Sequence, residues 1–102
     1  MSIEYTAQLR ENFSLEKAQQ ILQKCSIYEG WNLLDQTPSK MSFKLKGVPV
    51  RENWNEDVEI SISRSTFYVI FHAASKLQRE NCVKYLNECL MIFNVYCYLE
   101  EI

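Results

Sequence analysis

Ile3, Tyr5, Ala7 and Leu9 alternate with Glu4, Thr6 and Gln8, the two-residue period of a strand that buries one face. The period then changes. Leu15, Ala18, Ile21, Leu22 and Cys25 recur at helical spacing behind Ser14, which is placed to cap a helix, with Phe13 as the outer half of a hydrophobic staple. Gly30 suits a left-handed position that ends this helix, and Trp31 can fold back over it as apolar cover. Residues 31–35 form a short predicted strand and the segment around Pro38 a turn. Residues 40–46 form a further strand with Met41, Phe43 and Leu45 inward and Lys40, Ser42, Lys44 and Lys46 outward.

Beyond a polar loop, Val58, Ile60 and Ile62 alternate with Glu59, Ser61 and Ser63, and another strand is predicted from Thr66 to Ala73. A two-residue turn at Arg64-Ser65 would pair Ser63 with Thr66 and Ile62 with Phe67, which keeps both apolar sets on one side. Ser75 and Gln78 form a capping box. The helix they open carries Cys82, Val83, Leu86, Cys89, Leu90 and Phe93 on one stripe. Asn94 can supply a left-handed cap, after which residues 95–100 alternate as a final strand.

The element order is therefore β-α-β-β-β-β-α-β. Both helices have one apolar stripe and most strands one polar face. The fold class expected is α+β, a two-layer sandwich with two helices on one face of a largely antiparallel sheet, an elaboration of the ferredoxin-like arrangement. With 102 residues, 47% of them hydrophobic, and only two glycines and two prolines, residues 1–102 should form a single globular domain without a linker. The start of the chain lacks the basic residues and apolar run of a signal peptide, and no stretch reaches the roughly 20 apolar residues that span a bilayer. A cytoplasmic protein with no membrane contact is expected.

A net charge of −2 disfavours direct nucleic-acid binding, which needs clustered Lys and Arg, and favours a basic protein partner. Cys25, Cys82, Cys89 and Cys97 form no CxxC and have no histidine at ligand spacing, so neither zinc nor thioredoxin-type chemistry is expected. All four should be reduced, core-facing thiols. Asn53, Asn55, Asp57 and Glu59 alternate in the manner of a calcium loop but lack its glycine and its distant glutamate. No cofactor or metal is expected. His72 is the one histidine, and no local pattern brings it a nucleophile or carboxylate, so a non-enzymatic protein is expected.

Two surfaces stand out. The outward residues of the strands flanking the second helix, Tyr68, Ile70, His72, Tyr96 and Tyr98, would form an aromatic patch on the open sheet face if those strands lie together. The central loop sets Trp54 among Glu52, Glu56, Asp57 and Glu59, the composition of an anchor ringed by carboxylates. The plainer alternative has Trp54 folding over the end of the sheet and Glu59 pairing across strands with Lys44 or Lys46.

A small, acidic α+β chain with Trp54, Glu56 and Asp57 on such a surface resembles, in type, the immunity proteins that neutralise bacterial polymorphic toxins. The resemblance implies a non-catalytic inhibitor that occludes a basic toxin domain, in some systems a nuclease, by charge and shape. The alternative is a small dimeric ferredoxin-like domain, ligand-binding or enzymatic, that pairs through its open sheet face and has a pocket near Tyr68 and His72.

Overall fold

The computed structural model describes residues 2–10, 12–49, 55–95 and 97–102. Its elements follow the predicted order: β1 (Ile3–Gln8), α1 (Leu15–Ser26), β2 (Trp31–Gln36), β3 (Lys40–Leu45), β4 (Val58–Ser63), β5 (Thr66–Phe71), α2 (Lys76–Ile92) and β6 (Glu100–Glu101). The six strands form one antiparallel sheet in the order β2-β3-β4-β5-β1-β6. β1 and β4 both run antiparallel to β5, which lies between them, so they are parallel to each other. Within β4-β5-β1-β6 this is the ferredoxin-like arrangement, and the β2-β3 hairpin widens it at one edge. No helix among the described residues is long and apolar enough to cross a membrane.

The turns explain the register. Arg64 takes φ 55° and Ser63↔Thr66 and Ile62↔Phe67 face each other as expected. The strained turn is tied down by the next layer of chain, because Phe13 N–H donates to the Arg64 carbonyl at 3.2 Å and Leu9 N–H to that of Ser65 at 2.6 Å. β2 carries a bulge: Leu33 faces Phe43 whereas Asp35 faces Ser42, which leaves Leu34 without a partner across the strand.

Ser14 Oγ accepts from Lys17 N–H at 3.1 Å and starts α1. Ala18, Ile21, Leu22 and Cys25 are buried as predicted, but Leu15 is 60% exposed; at the first helical position it lies before the turn that reaches the core. The end of α1 differs from the expectation. Gly30 is not among the residues with positive φ; its need for glycine is steric, since a Cβ there would fall on the Tyr28 ring. Trp31 closes the helix end from inside the core, donating Nε1–H to the Cys25 carbonyl at 3.2 Å and stacking on Phe43 at 4.4 Å.

α2 starts with the reciprocal capping box: Gln78 N–H to Ser75 Oγ at 3.1 Å and Ser75 N–H to Gln78 Oε1 at 2.9 Å. It ends at Asn94 with φ 60°. The final strand is shorter than predicted. Val95 and Leu99 do turn inward, but Leu99 N–H is taken by Asn87 Oδ1 of α2 at 2.9 Å, so pairing with β1 is confined to Glu100↔Thr6 and Glu101↔Tyr5.

The core lies between the sheet and the helices. Met41, Phe43, Val58, Ile60, Phe67, Val69 and Phe71 of the sheet meet Ile21, Leu22, Leu86 and Leu90 of the helices, each large side chain contributing about 1.5–3 kcal/mol on burial. Cys25, Cys82 and Cys89 are buried, and Cys97 is half-buried. Burial pushes the Cys82 thiol up to about 12, and a hydrogen bond with Tyr28 offsets it only in part.

Candidate functional site

Alternation along β1, β3, β4 and β5 sends their second set of side chains to the sheet face that the helices leave uncovered. The pairing registers arrange them in rows. Asp35, Ser42, Glu59, Ile70 and Glu4 form one row, and Lys40, Ser61, Tyr68 and Thr6 the next. Leu34, Asp35, Thr37, Lys40, Ser42, Lys44, Asn55, Glu56 and Glu59 line a cleft of about 660 Å³ over the β2-β3-β4 end of this face.

Two ion-paired clusters shape that cleft. In the first, Asp57 is fully buried. Its Oδ2 accepts from Lys44 Nζ at 2.7 Å and from Leu45 N–H at 2.9 Å. Its backbone completes the frame, with Asp57 N–H donating to the Phe43 carbonyl and the Asp57 carbonyl accepting from His72 N–H, both at 2.8 Å. Lys44 Nζ also reaches the Val48 carbonyl at 2.6 Å. The expectation that Asp57 meets a partner is thus corrected: it is an internal tie between β3 and the ends of β4 and β5. The loop carboxylates do not act as one set.

In the second cluster, Glu59 divides its oxygens. Oε1 pairs with Lys40 Nζ at 2.8 Å and Oε2 with His72 Nε2 at 2.7 Å. The fold therefore brings His72 a carboxylate that no local sequence supplies, and Glu59 pairs with Lys40 rather than with Lys44 or Lys46. Burial pushes the Glu59 carboxyl up, but hydrogen bonds and charge from Lys40 and His72 outweigh it and hold the group below its ordinary 4.5. The hydrogen bond and charge of Glu59 raise Lys40, opposed by slight burial, and Glu56 and Asp35 add to the rise. The face is less basic than the lysines suggested: Lys44 is matched by Asp57, and Lys40 by Glu59, with Asp35 and Glu56 also lining the cleft.

A pH dependence follows from Glu59. In the unfolded chain it protonates at higher pH than in the fold, so its contribution to stability is complete above about pH 5 and is lost as pH falls through its lowered value. Urea midpoints measured from pH 6 to pH 3 should fall more steeply for the wild type than for Glu59→Gln; parallel profiles would rule the linkage out.

The aromatic patch does not assemble as expected. β1 separates β5 from β6, and Tyr98 lies on the helix side with Tyr5, Val83 and Met91 in a shallow groove. Tyr68, Ile70 and His72 remain together on the open face, half-buried, but neither Tyr68 nor His72 lines the main cleft. Glu52, Trp54 and Tyr96 lie outside the described residues. Sequence reasoning missed Leu34, Asp35, Thr37 and Ser42 as cleft residues; the β2 bulge sets Asp35 opposite the outward Ser42 and so brings it to this face.

Among the described residues, no group of three or more His, Cys, Asp or Glu side chains is placed to hold a metal ion. The Cys25 thiol, hydrogen-bonded to Cys89 and buried, is pushed well above its ordinary value, so it is no poised nucleophile. For a ligand, the cleft offers carboxylates, the hydroxyls of Thr37 and Ser42 and the apolar side chain of Leu34. Comparison with family models, with curated proteins and with solved structures returns no match.

Proposed function

We propose that this chain is a non-catalytic protein-binding module whose uncovered sheet face docks on a basic surface of another protein. One observation carries the reading. Among the described residues, the cleft at the β2-β3-β4 end holds Asp35 and Glu59 against Lys40, because the second lysine, Lys44, is already matched by the buried Asp57. A concave site with surplus negative charge favours a cationic side chain and steers a basic partner toward it.

The partner that fits the resemblance in type is the basic domain of a bacterial toxin, bound and occluded without chemistry.

The test is affinity capture from the native host, followed by binding kinetics with the purified captured protein. Against wild type, Asp35→Lys with Glu56→Lys should weaken affinity at least tenfold, chiefly through slower association at low salt. The control is Glu16→Lys with Glu80→Lys, an equal charge change on exposed helix positions, and it should have a much smaller effect. A partner that is acidic, or whose affinity responds equally to both double variants, would sink the proposal.

A further inference from the structure

Lys40 and Lys44 leave the same face of β3 four residues apart, yet they are held very differently. Lys44 is 19% exposed and bonded to Asp57 Oδ2 and the Val48 carbonyl, an internal cation with fixed partners. Lys40 is 50% exposed, stands at the first residue of β3, and has Glu59 Oε1 as its partner at 2.8 Å. Beneath it Glu59 is shielded, with a side chain 15% exposed and its other oxygen fixed by the equally shielded His72.

We infer that Lys40 is an internal stand-in for the cation this cleft receives, and that a lysine or arginine side chain of the partner displaces it from Glu59 on docking. The inference rests on the proposed binding role of the open face and names how its cleft is filled. Lys40 itself is half exposed, so releasing its ammonium to water costs it little solvation. The carboxylate it leaves stays oriented by His72 and needs no rearrangement to take a new donor. Leu34, Thr37 and Ser42 border the vacated position within the same cleft, offering apolar contact for the stem of an incoming side chain and hydroxyls near its charged end. Asp35 and Glu56, whose charges already act on Lys40, would act on the newcomer in the same way.

The probe is the blocked tripeptide acetyl-Gly-Arg-Gly-amide, titrated at low salt into the 15N-labelled chain while amide shifts are followed. Lys40→Met should bind it at least threefold more tightly than wild type, with shifts at Leu34, Ser42 and Glu59, and Glu59→Gln should weaken it. Lys46→Met alters the net charge equally from an exposed position outside the cleft and should leave the affinity near that of wild type. Lys40→Gln serves as a second replacement, and retained amide dispersion shows that each variant is folded. Equal or weaker binding by both Lys40 variants, or equal gains from Lys40→Met and Lys46→Met, overturns displacement. The basic-partner reading then still stands if Asp35→Lys with Glu56→Lys abolishes the wild-type shifts. If no open-face amide moves in any of the proteins, displacement and the binding role fail together.

Discussion

Asp57→Ala should destabilise the fold by about 3–5 kcal/mol, the cost of removing one partner from a buried ion pair. Lys44 would keep its charge in a mostly buried place with the Val48 carbonyl as its close acceptor. Leu45 N–H would lose the oxygen it now donates to at 2.9 Å, and an unsatisfied buried donor adds about 1–3 kcal/mol within that total. Since a domain of this size has roughly 5–15 kcal/mol of stability, the change takes a large part of it. Asp57→Asn keeps an acceptor for Leu45 and should cost less. Asp57→Leu combined with Lys44→Met removes both charges and should recover much of the loss. The contrast is Glu80→Ala, whose 4.0 Å pair with Lys76 is widely exposed and should matter by about 0.5 kcal/mol or less. Urea unfolding measures all of them. A cost under about 1 kcal/mol for Asp57→Ala would return that residue to the surface role its sequence suggested.

Trp31→Ala should be comparably severe, at about 3–5 kcal/mol. Its indole fills the space between the end of α1 and β3, stacked on Phe43 at 4.4 Å and edge-on to Tyr28 at 4.9 Å. It also donates to the Cys25 carbonyl near the end of α1, which accepts from Tyr28 N–H as well, at 3.4 Å. Trp31→Phe separates the two contributions: it keeps a ring against Phe43 and loses the N–H, for a cost of about 1–3 kcal/mol from the lost hydrogen bond and the smaller ring. If the two substitutions cost the same in urea unfolding, stacking contributes little and the hydrogen bond carries the site.

These two residues also mark where the sequence was legible and where it was not. Trp31 opens a short predicted strand directly behind Gly30, and its inward turn was readable even though the mechanism at Gly30 was not. The Ile62-Phe67 pairing was readable because a two-residue turn fixes the register of β4 against β5. No such turn joins β3 to β4. A shift of two residues between them leaves every apolar side chain on the same face, so periodicity could not choose between Glu59 and Asp57 as the partner of Lys44. The register Ser42↔Glu59 and Phe43↔Val58 carries Asp57 to the position opposite Lys44. In the sequence, Glu56, Asp57 and Glu59 look alike; in the fold Asp57 is buried, Glu59 is held between Lys40 and His72, and Glu56 lines the cleft. The order of β5, β1 and β6 was equally hidden, because an alternating strand presents the same pattern whichever neighbour it pairs with. That ambiguity is why Tyr98 was expected beside Tyr68 and His72, from which β1 separates it among the described residues.

The bulge at Leu34 has a meaning beyond the cleft it helps to shape. β2 is an outer strand bearing two exposed leucines, and a straight strand of that kind is a template on which further chains can grow into fibrils. With an extra residue between Leu33 and Asp35, its backbone donors and acceptors fall out of step with any regular strand laid beside them. The opposite border ends in a strand of two residues, both glutamates, too short to propagate pairing and too charged to invite it. The device that bends Asp35 toward the cleft thus also guards the sheet against aggregation.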